Sequence, residues 1–289
     1  MPTKVEKDAI SGKDTTGHEW DGIKELDTPL PKWWLYVFYA CIAWAAVYSV
    51  FYPSWPTLST HFRGLLGYTA RANVTQELAA QAAERAPFLR RIQSTPLAQI
   101  ESDPNLLSFA MTGGRAVFSD NCVPCHGPGG GGGKGFPNLA DDDWLWGGTL
   151  DAVHQTIAYG VRNANDKSRQ SQMPRFGADG ILKPEQIDDV AEYVMSLSGT
   201  STDAAAAARG APIFAENCAV CHGPKGQGNQ EVGAPNLSDK IWLYGGDKAT
   251  IVQTITYARN GNMPAWSERF DDTTIKMLTI YVHSLGGGR

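Results

Sequence analysis

Several familiar features are missing from this sequence. No basic patch is present, and a formal net charge of −5 over 289 residues argues against a nucleic-acid partner. No cleavable signal peptide can be read, because the one long apolar run comes late, is too long and has no small-residue cleavage pattern after it. The glycine run at 129 to 133 is not a phosphate-cradling loop: Lys134 is followed by Gly135 rather than Ser or Thr, and no strand precedes it. Cysteine is scarce as well. Of the five in the chain, four fall in two short units, and the fifth, Cys41, lies in the long apolar run, which leaves no further thiol at hand to complete a zinc site.

Those units are Cys122-Val123-Pro124-Cys125-His126 and Cys218-Ala219-Val220-Cys221-His222. C-x-x-C-H is the attachment signature of c-type haem. Two thiols three positions apart lie on one face of a helical turn, where both can add to the vinyl groups of one porphyrin as thioethers. The His that follows is carried beneath the ring as the proximal iron ligand. A zinc knuckle or a redox dithiol would account for a single unit. Two units, with only Cys41 outside them, point instead to two covalently bound haem c groups, one on Cys122, Cys125 and His126, the other on Cys218, Cys221 and His222.

Residues 33 to 52, WWLYVFYACIAWAAVYSVFY, carry no charge and would span about 30 Å as a helix, the thickness of a bilayer's hydrocarbon core. The run predicts one transmembrane helix with aromatic belts, Trp33, Trp34 and Tyr36 at one end and Tyr48, Tyr52 and Trp55 at the other. Cys41 is alone at mid-span and reads as a packing residue. Residues 1 to 32 are polar and aperiodic, the pattern of an extended or disordered tail with a solvated His18. Residues 53 to 107 form a helical linker: Pro53 and Pro56 end the span, residues 77 to 92 favour helix up to a break at Pro87, and a short helix follows Thr95-Pro96. His61 reads as an interface residue of that linker. Haem c is attached in bacteria outside the cytoplasmic membrane. The tail is therefore expected in the cytoplasm and everything past the span in the periplasm, anchored in the inner membrane.

From residue 108 the chain repeats itself with an offset of 96 residues between the two motifs. Gly114-Arg115-Ala116 answers Gly210-Ala211-Pro212, Pro137-Asn138-Leu139 answers Pro235-Asn236-Leu237, Trp144-Leu145-Trp146 answers Trp242-Leu243-Tyr244, and Tyr193-Val194 answers Tyr281-Val282. The two copies cover 108 to 199 and 204 to 289. Each runs helix, C-x-x-C-H, Gly-rich loop, middle helix, Met-Pro loop and closing amphipathic helix. That order resembles class I cytochrome c domains. The resemblance implies an all-α fold, one transmembrane helix followed by two tandem cytochrome c domains, with the first and last helices of each copy crossing. Phe118 would pack against Tyr193 at the first crossing, and Phe214 against Tyr281 at the second.

The sixth iron ligand decides between an electron carrier and a reactive haem. Met173-Pro174 and Met263-Pro264 occupy matching places in the repeat, and a thioether there fills the last coordination site and raises the potential. The first copy carries about eight extra residues, 163 to 170, just before its Met. His154 and His283 each occur in one copy only and read as surface or propionate-side residues. Met111, Met195 and Met277 lack the Met-Pro context and read as core. Arg162 and Arg259 suit haem propionates or equally a surface salt bridge.

The polar tail, single span, Tyr52-Pro53-Ser54-Trp55-Pro56 exit, helical linker and two haem domains together resemble the diheme subunit of cbb3-type cytochrome c oxidase, the CcoP or FixP family, over almost the whole chain. The resemblance implies that electrons from a donor cytochrome c enter here and pass to the monohaem and catalytic subunits of the oxidase. Oxygen reduction would then belong to another chain, no residue here would be catalytic, and the anchor would contact membrane lipid. Two other readings stay open: a cytochrome subunit of a periplasmic dehydrogenase, and a diheme peroxidase or gas sensor, which would need one five-coordinate iron.

Overall fold

The structure is a computed structural model that describes residues 4 to 286. The chain divides into two compact units, residues 1 to 84 and 85 to 289.

In the first unit the segment expected to be an extended or disordered tail contains a hairpin. Strand β1 (Thr15–Trp20) pairs antiparallel with β2 (Ile23–Leu26), Trp20 opposite Ile23. The connection is Asp21-Gly22, both at positive φ (49° and 83°), the geometry of a tight hairpin turn. His18 is exposed. Helix α1 (Lys32–Phe51) follows and buries none of its residues within the chain. Among the described residues it is the one helix long and apolar enough to cross a membrane, with mean hydropathy 1.6. Its apolar side chains run all round the axis, as a lipid-facing helix requires.

Past α1 the chain folds straight back. A helix end leaves carbonyls without partners, and here Leu65 N–H donates to Val50 O (3.0 Å) and Leu66 N–H to Phe51 O (3.1 Å). Ser54 Oγ adds a bond to Ser49 O (2.8 Å). Gly64 makes the return possible, because at φ 74° a side chain there would run into the Phe51 carbonyl.

The second unit holds the haem motifs. It begins within helix α2 (Ala70–Ser94), which continues through Pro87 instead of breaking there. One missing amide donor on a solvated face is tolerated when Phe88, Leu89 and Ile92 beyond it are held by a core. Then come α3 (Leu97–Ser102), α4 (Pro104–Asn121), the single turn α5 (Val123–His126), α6 (Leu150–Tyr159) and α7 (Pro184–Leu197). The second copy supplies α8 (Ala204–Asn217), the turn α9 (Ala219–His222), α10 (Lys248–Tyr257) and α11 (Asp272–His283). Asp103, Thr149, Asp203, Asp247 and Asp271 cap α4, α6, α8, α10 and α11 by accepting from first-turn amides.

The closing helices are exchanged between the copies. Helix α11 packs on α4 and α6, while α7 packs on α8 and α10. The expected pairing of Phe118 with Tyr193 and Phe214 with Tyr281 is therefore corrected: Phe118 meets Tyr281 (ring centroids 5.3 Å apart) and Phe214 meets Tyr193 (5.0 Å). The connection from Leu197 to Ala204 explains why. It is so short that α8 folds directly back onto α7, as in a helical hairpin. Glu192 of α7, 1% exposed, locks the turn by accepting from Ser201 Oγ (2.7 Å) and the amides of Thr202 and Asp203. Both crossings use a glycine for close approach. A Cβ on Gly114 would lie 2.8 Å from Tyr281 Cβ, and one on Gly210 would lie 2.9 Å from Val190 N.

Candidate haem centres

Helix α4 ends at Cys122, and the turn α5 carries Cys125 and His126 round to the same side, with His126 N–H bonded to Cys122 O (2.8 Å). Gly127, at φ 73°, then takes the chain out of the turn. Helix α8 and turn α9 repeat this for Cys218, Cys221 and His222. Each imidazole is oriented through Nδ1, which lies 3.0 Å from a backbone carbonyl, Pro137 O for His126 and Pro235 O for His222. A carbonyl only accepts, so Nδ1 carries the proton and Nε2 keeps its lone pair for a metal. Burial lowers the pKa of both rings, partly offset by that carbonyl bond, which favours the neutral, ligating form.

Burial pushes the Cys122 and Cys218 thiols up to about 11, with Cys125 and Cys221 adding to the effect. Redox dithiols work through lowered thiol pKa values. Cys122 and Cys218 are shifted the opposite way, and no disulfide forms among the described residues.

One continuous cavity is lined by Cys122, Cys125, His126, Met173, Cys218, Cys221, His222 and Met263. Each methionine packs in the core that holds the other copy's motif. Met263 packs with Cys122 and Trp144 around the Phe118 core, and Met173 packs with Cys218 and Trp242 around the Phe214 core. The remaining lining suits a porphyrin. It is largely apolar, and Trp144 Nε1 is buried in it without a hydrogen-bond partner, a donor a propionate would satisfy. Arg162 and Arg259 also line it, stacked over Trp146 (5.7 Å) and Tyr244 (5.0 Å). No carboxylate pairs with either among the described residues. Burial lowers the Arg162 pKa, the cost an anionic propionate would offset.

Comparison with known proteins fits this geometry. Residues 12 to 59 match the N-terminal domain of cytochrome oxidase-cbb3, FixP; residues 111 to 198 match cytochrome c; and residues 205 to 282 match cytochrome c oxidase, cbb3-type, subunit III. The chain is 56% identical to the cbb3-type cytochrome c oxidase subunit FixP of Bradyrhizobium sp. (strain ORS 278) over all of both chains. It is 54% identical to subunit CcoP of Azospirillum brasilense over 98% of this chain and 99% of that one, and 51% identical to subunit CcoP of Cereibacter sphaeroides over all of both. The chain belongs to the FixP/CcoP family. A FixP/CcoP chain is a cytochrome c subunit of a cbb3-type oxidase: it binds haem c covalently, is anchored in a membrane and has the other oxidase subunits as partners.

The other sequence candidates lie outside the cavity. His154 Nε2 is 3.0 Å from Asp272 Oδ1, and His283 Nδ1 is 3.0 Å from Glu101 Oε1. Met277 is buried in the α2–α3–α4–α11 core, and Met111 and Met195 pack at core edges. Sequence reasoning missed the orienting carbonyls of Pro137 and Pro235, although both stood in a matched repeat, and the orphaned Trp144 indole, which only packing reveals. It also missed Asp143, half-buried in the cavity wall. Burial first, then Asp239 and Asp141, push its carboxyl up to about 6.

Proposed function

We propose that this chain is a diheme electron relay that accepts electrons from a donor cytochrome c and delivers them to the catalytic core of a cbb3-type oxidase, where oxygen is reduced by another subunit. Two haem c groups are held through thioethers to Cys122 and Cys125 and to Cys218 and Cys221. His126 and Met263 would hold the iron of one, and His222 and Met173 that of the other, a crossed arrangement supported by the packing of Met263 with Cys122 and of Met173 with Cys218. The haem iron supplies a one-electron couple at each centre, and the thioether ligand raises its potential. The protein's own part is to fill every coordination position, orient the imidazoles through Pro137 and Pro235, present Trp144, Arg162 and Arg259 to the propionates, and exclude water with the two aromatic cores. The haem unit faces the periplasm, the hairpin faces the cytoplasm, and α1 lies in lipid.

The observation that carries this reading is the single cavity in which each C-x-x-C-H motif meets the methionine of the other copy. Redox titration with magnetic circular dichroism tests it, on wild type, Met173→His and Met263→His. Wild type should show two methionine-to-iron charge-transfer bands. Each variant should lose one band and lower one potential. A wild-type haem that binds carbon monoxide readily would overturn the relay and favour a peroxidase or sensor.

A further inference from the structure

The two methionine loops are not held alike, and the eight residues by which the copies differ account for the difference. Both loops share one anchor on the middle helix. Gly177 and Ala178 amides donate to Thr256 O, and Trp266 and Ser267 amides donate to Ile157 O and Ala158 O. Beyond this, Met173 receives a single bond, its amide donating to Asn260 Oδ1 (3.1 Å) at an exposed position.

Met263 is clamped by the other copy. Its amide donates to Val161 O (2.9 Å), and its carbonyl accepts from Val161 N–H (3.0 Å). That same carbonyl accepts from Asn163 Nδ2 (2.7 Å), which also donates to Tyr159 O (2.9 Å) at the end of α6. The extra segment 163 to 170 holds Asn163 in place. Asn163 N–H donates to the buried Ser168 Oγ (3.2 Å), Arg169 N–H donates to Gly160 O (3.1 Å), and Arg169 Nε ties back to Thr156 Oγ1 (2.9 Å). Gly160 is matched to this packing, since a Cβ there would collide with the Asn163 amide and the Met263 carbonyl. The insertion precedes Met173 in sequence but secures Met263 in space.

We propose that Asn163 is a positioning residue for Met263, and that the clamp makes the sixth ligand of the His126 centre resistant to exchange while the His222 centre gives up Met173 first. The inference rests on the crossed-ligand reading above. Detaching a methionine from iron requires its loop to move. At the methionine residue itself, that motion breaks two ladder bonds and the Asn163 bond for Met263, and one bond for Met173.

The test is an imidazole titration of the full-length, haem-loaded ferric chain, following the two methionine-to-iron bands separately. In wild type the Met173 band should be displaced at about tenfold lower imidazole than the Met263 band. Asn163→Ala, and the isosteric Asn163→Asp that keeps the shape but loses the donor, should each make the Met263 band about five- to tenfold easier to displace, the size of one hydrogen bond. The Met173 band in the same molecules should not move, which reports that the fold is intact. Asn260→Ala should shift the Met173 band alone. Bands displaced together in wild type, an unmoved Met263 band in both Asn163 variants, or both bands shifting equally would each overturn the proposal. A Cys122→Ser/Cys125→Ser chain checks the underlying reading separately. Crossed ligation requires the Met173 band to survive there; survival of the Met263 band would instead disprove the crossing, whatever the Asn163 variants do.

Discussion

Helices α7 and α11 close the two halves of the haem unit with the same aromatic contact and different polar chemistry. On α7, Asp188 and Glu192 pair with Lys248 (2.8 and 3.1 Å) and Asp189 pairs with Arg209 (2.6 Å), all on the second copy. On α11, Lys276 Nζ donates to Gln93 O (2.9 Å) and Thr95 O (3.2 Å) at the end of α2, His283 meets Glu101 on α3, and Asp272 meets His154 on α6. The reason is position in the chain. Helix α7 folds against the copy that follows it, whereas α11 is tied down by the segment ahead of the first copy. Ile92, Leu97 and Ile100 of that segment share a core with Met277 and Ile280. Residues 85 to 103 therefore do for α11 what the second copy does for α7.

The largest break in this comparison is to separate the copies. A fragment of residues 85 to 199 keeps a whole repeat by sequence but lacks α11 and Met263, and it should show no cooperative thermal transition by circular dichroism. A sharp transition with haem retained would mean that α7 can close its own copy. Next in size, Phe118→Ala should cost about 3–5 kcal/mol in chemical denaturation. In double-mutant cycles Phe118 should couple to Tyr281 by about 0.5–1.5 kcal/mol and be additive with Tyr193. The polar clamps should differ as well. Glu192→Ala removes a buried carboxylate from Lys248 and three donors and should cost about 3 kcal/mol, against less than about 1 kcal/mol for Glu101→Ala in its exposed pair. Equal losses would erase the distinction between the two closures.

The smallest effect concerns Asp143, whose counterpart in the other copy is Ile241. Its folded pKa of about 6 lies above the unfolded value of about 3.9, so the folded state holds the proton more tightly. Its contribution is fully present below about pH 4 and is lost as pH rises through 6. Asp143→Asn should thus be more stable than wild type at pH 7.5, by about 1 kcal/mol at most since the half-exposed carboxylate is screened. The two should converge at pH 4 in thermal melts.

Legibility in the sequence followed how local each constraint is. Thioether attachment and the proximal ligand need fixed spacing within five residues, so both motifs could be read directly, as could the span and the repeat. The exchange could not. The 3.6-residue period of α7 and α11 says that one face is buried but not which helix covers it. The available sign was the short stretch from Ser198 to Asp203, with Asp203 ready to cap α8. The Asp21-Gly22 turn was visible as well, but the strands flanking it are too polar to stand out. Pro87 misled because propensity describes an isolated helix, and this one is held by a core.

The return of α11 to α4 also sets an order in time. The first haem site is synthesised about halfway along the chain, yet its lid is the final helix, ending at His283. Until the last helix has been made, Cys122, Cys125 and His126 stand open on one side, accessible to whatever attaches the porphyrin. The second site finds α7 already waiting when it emerges. A chain stopped a few turns short of its end would therefore lose the centre nearest its beginning.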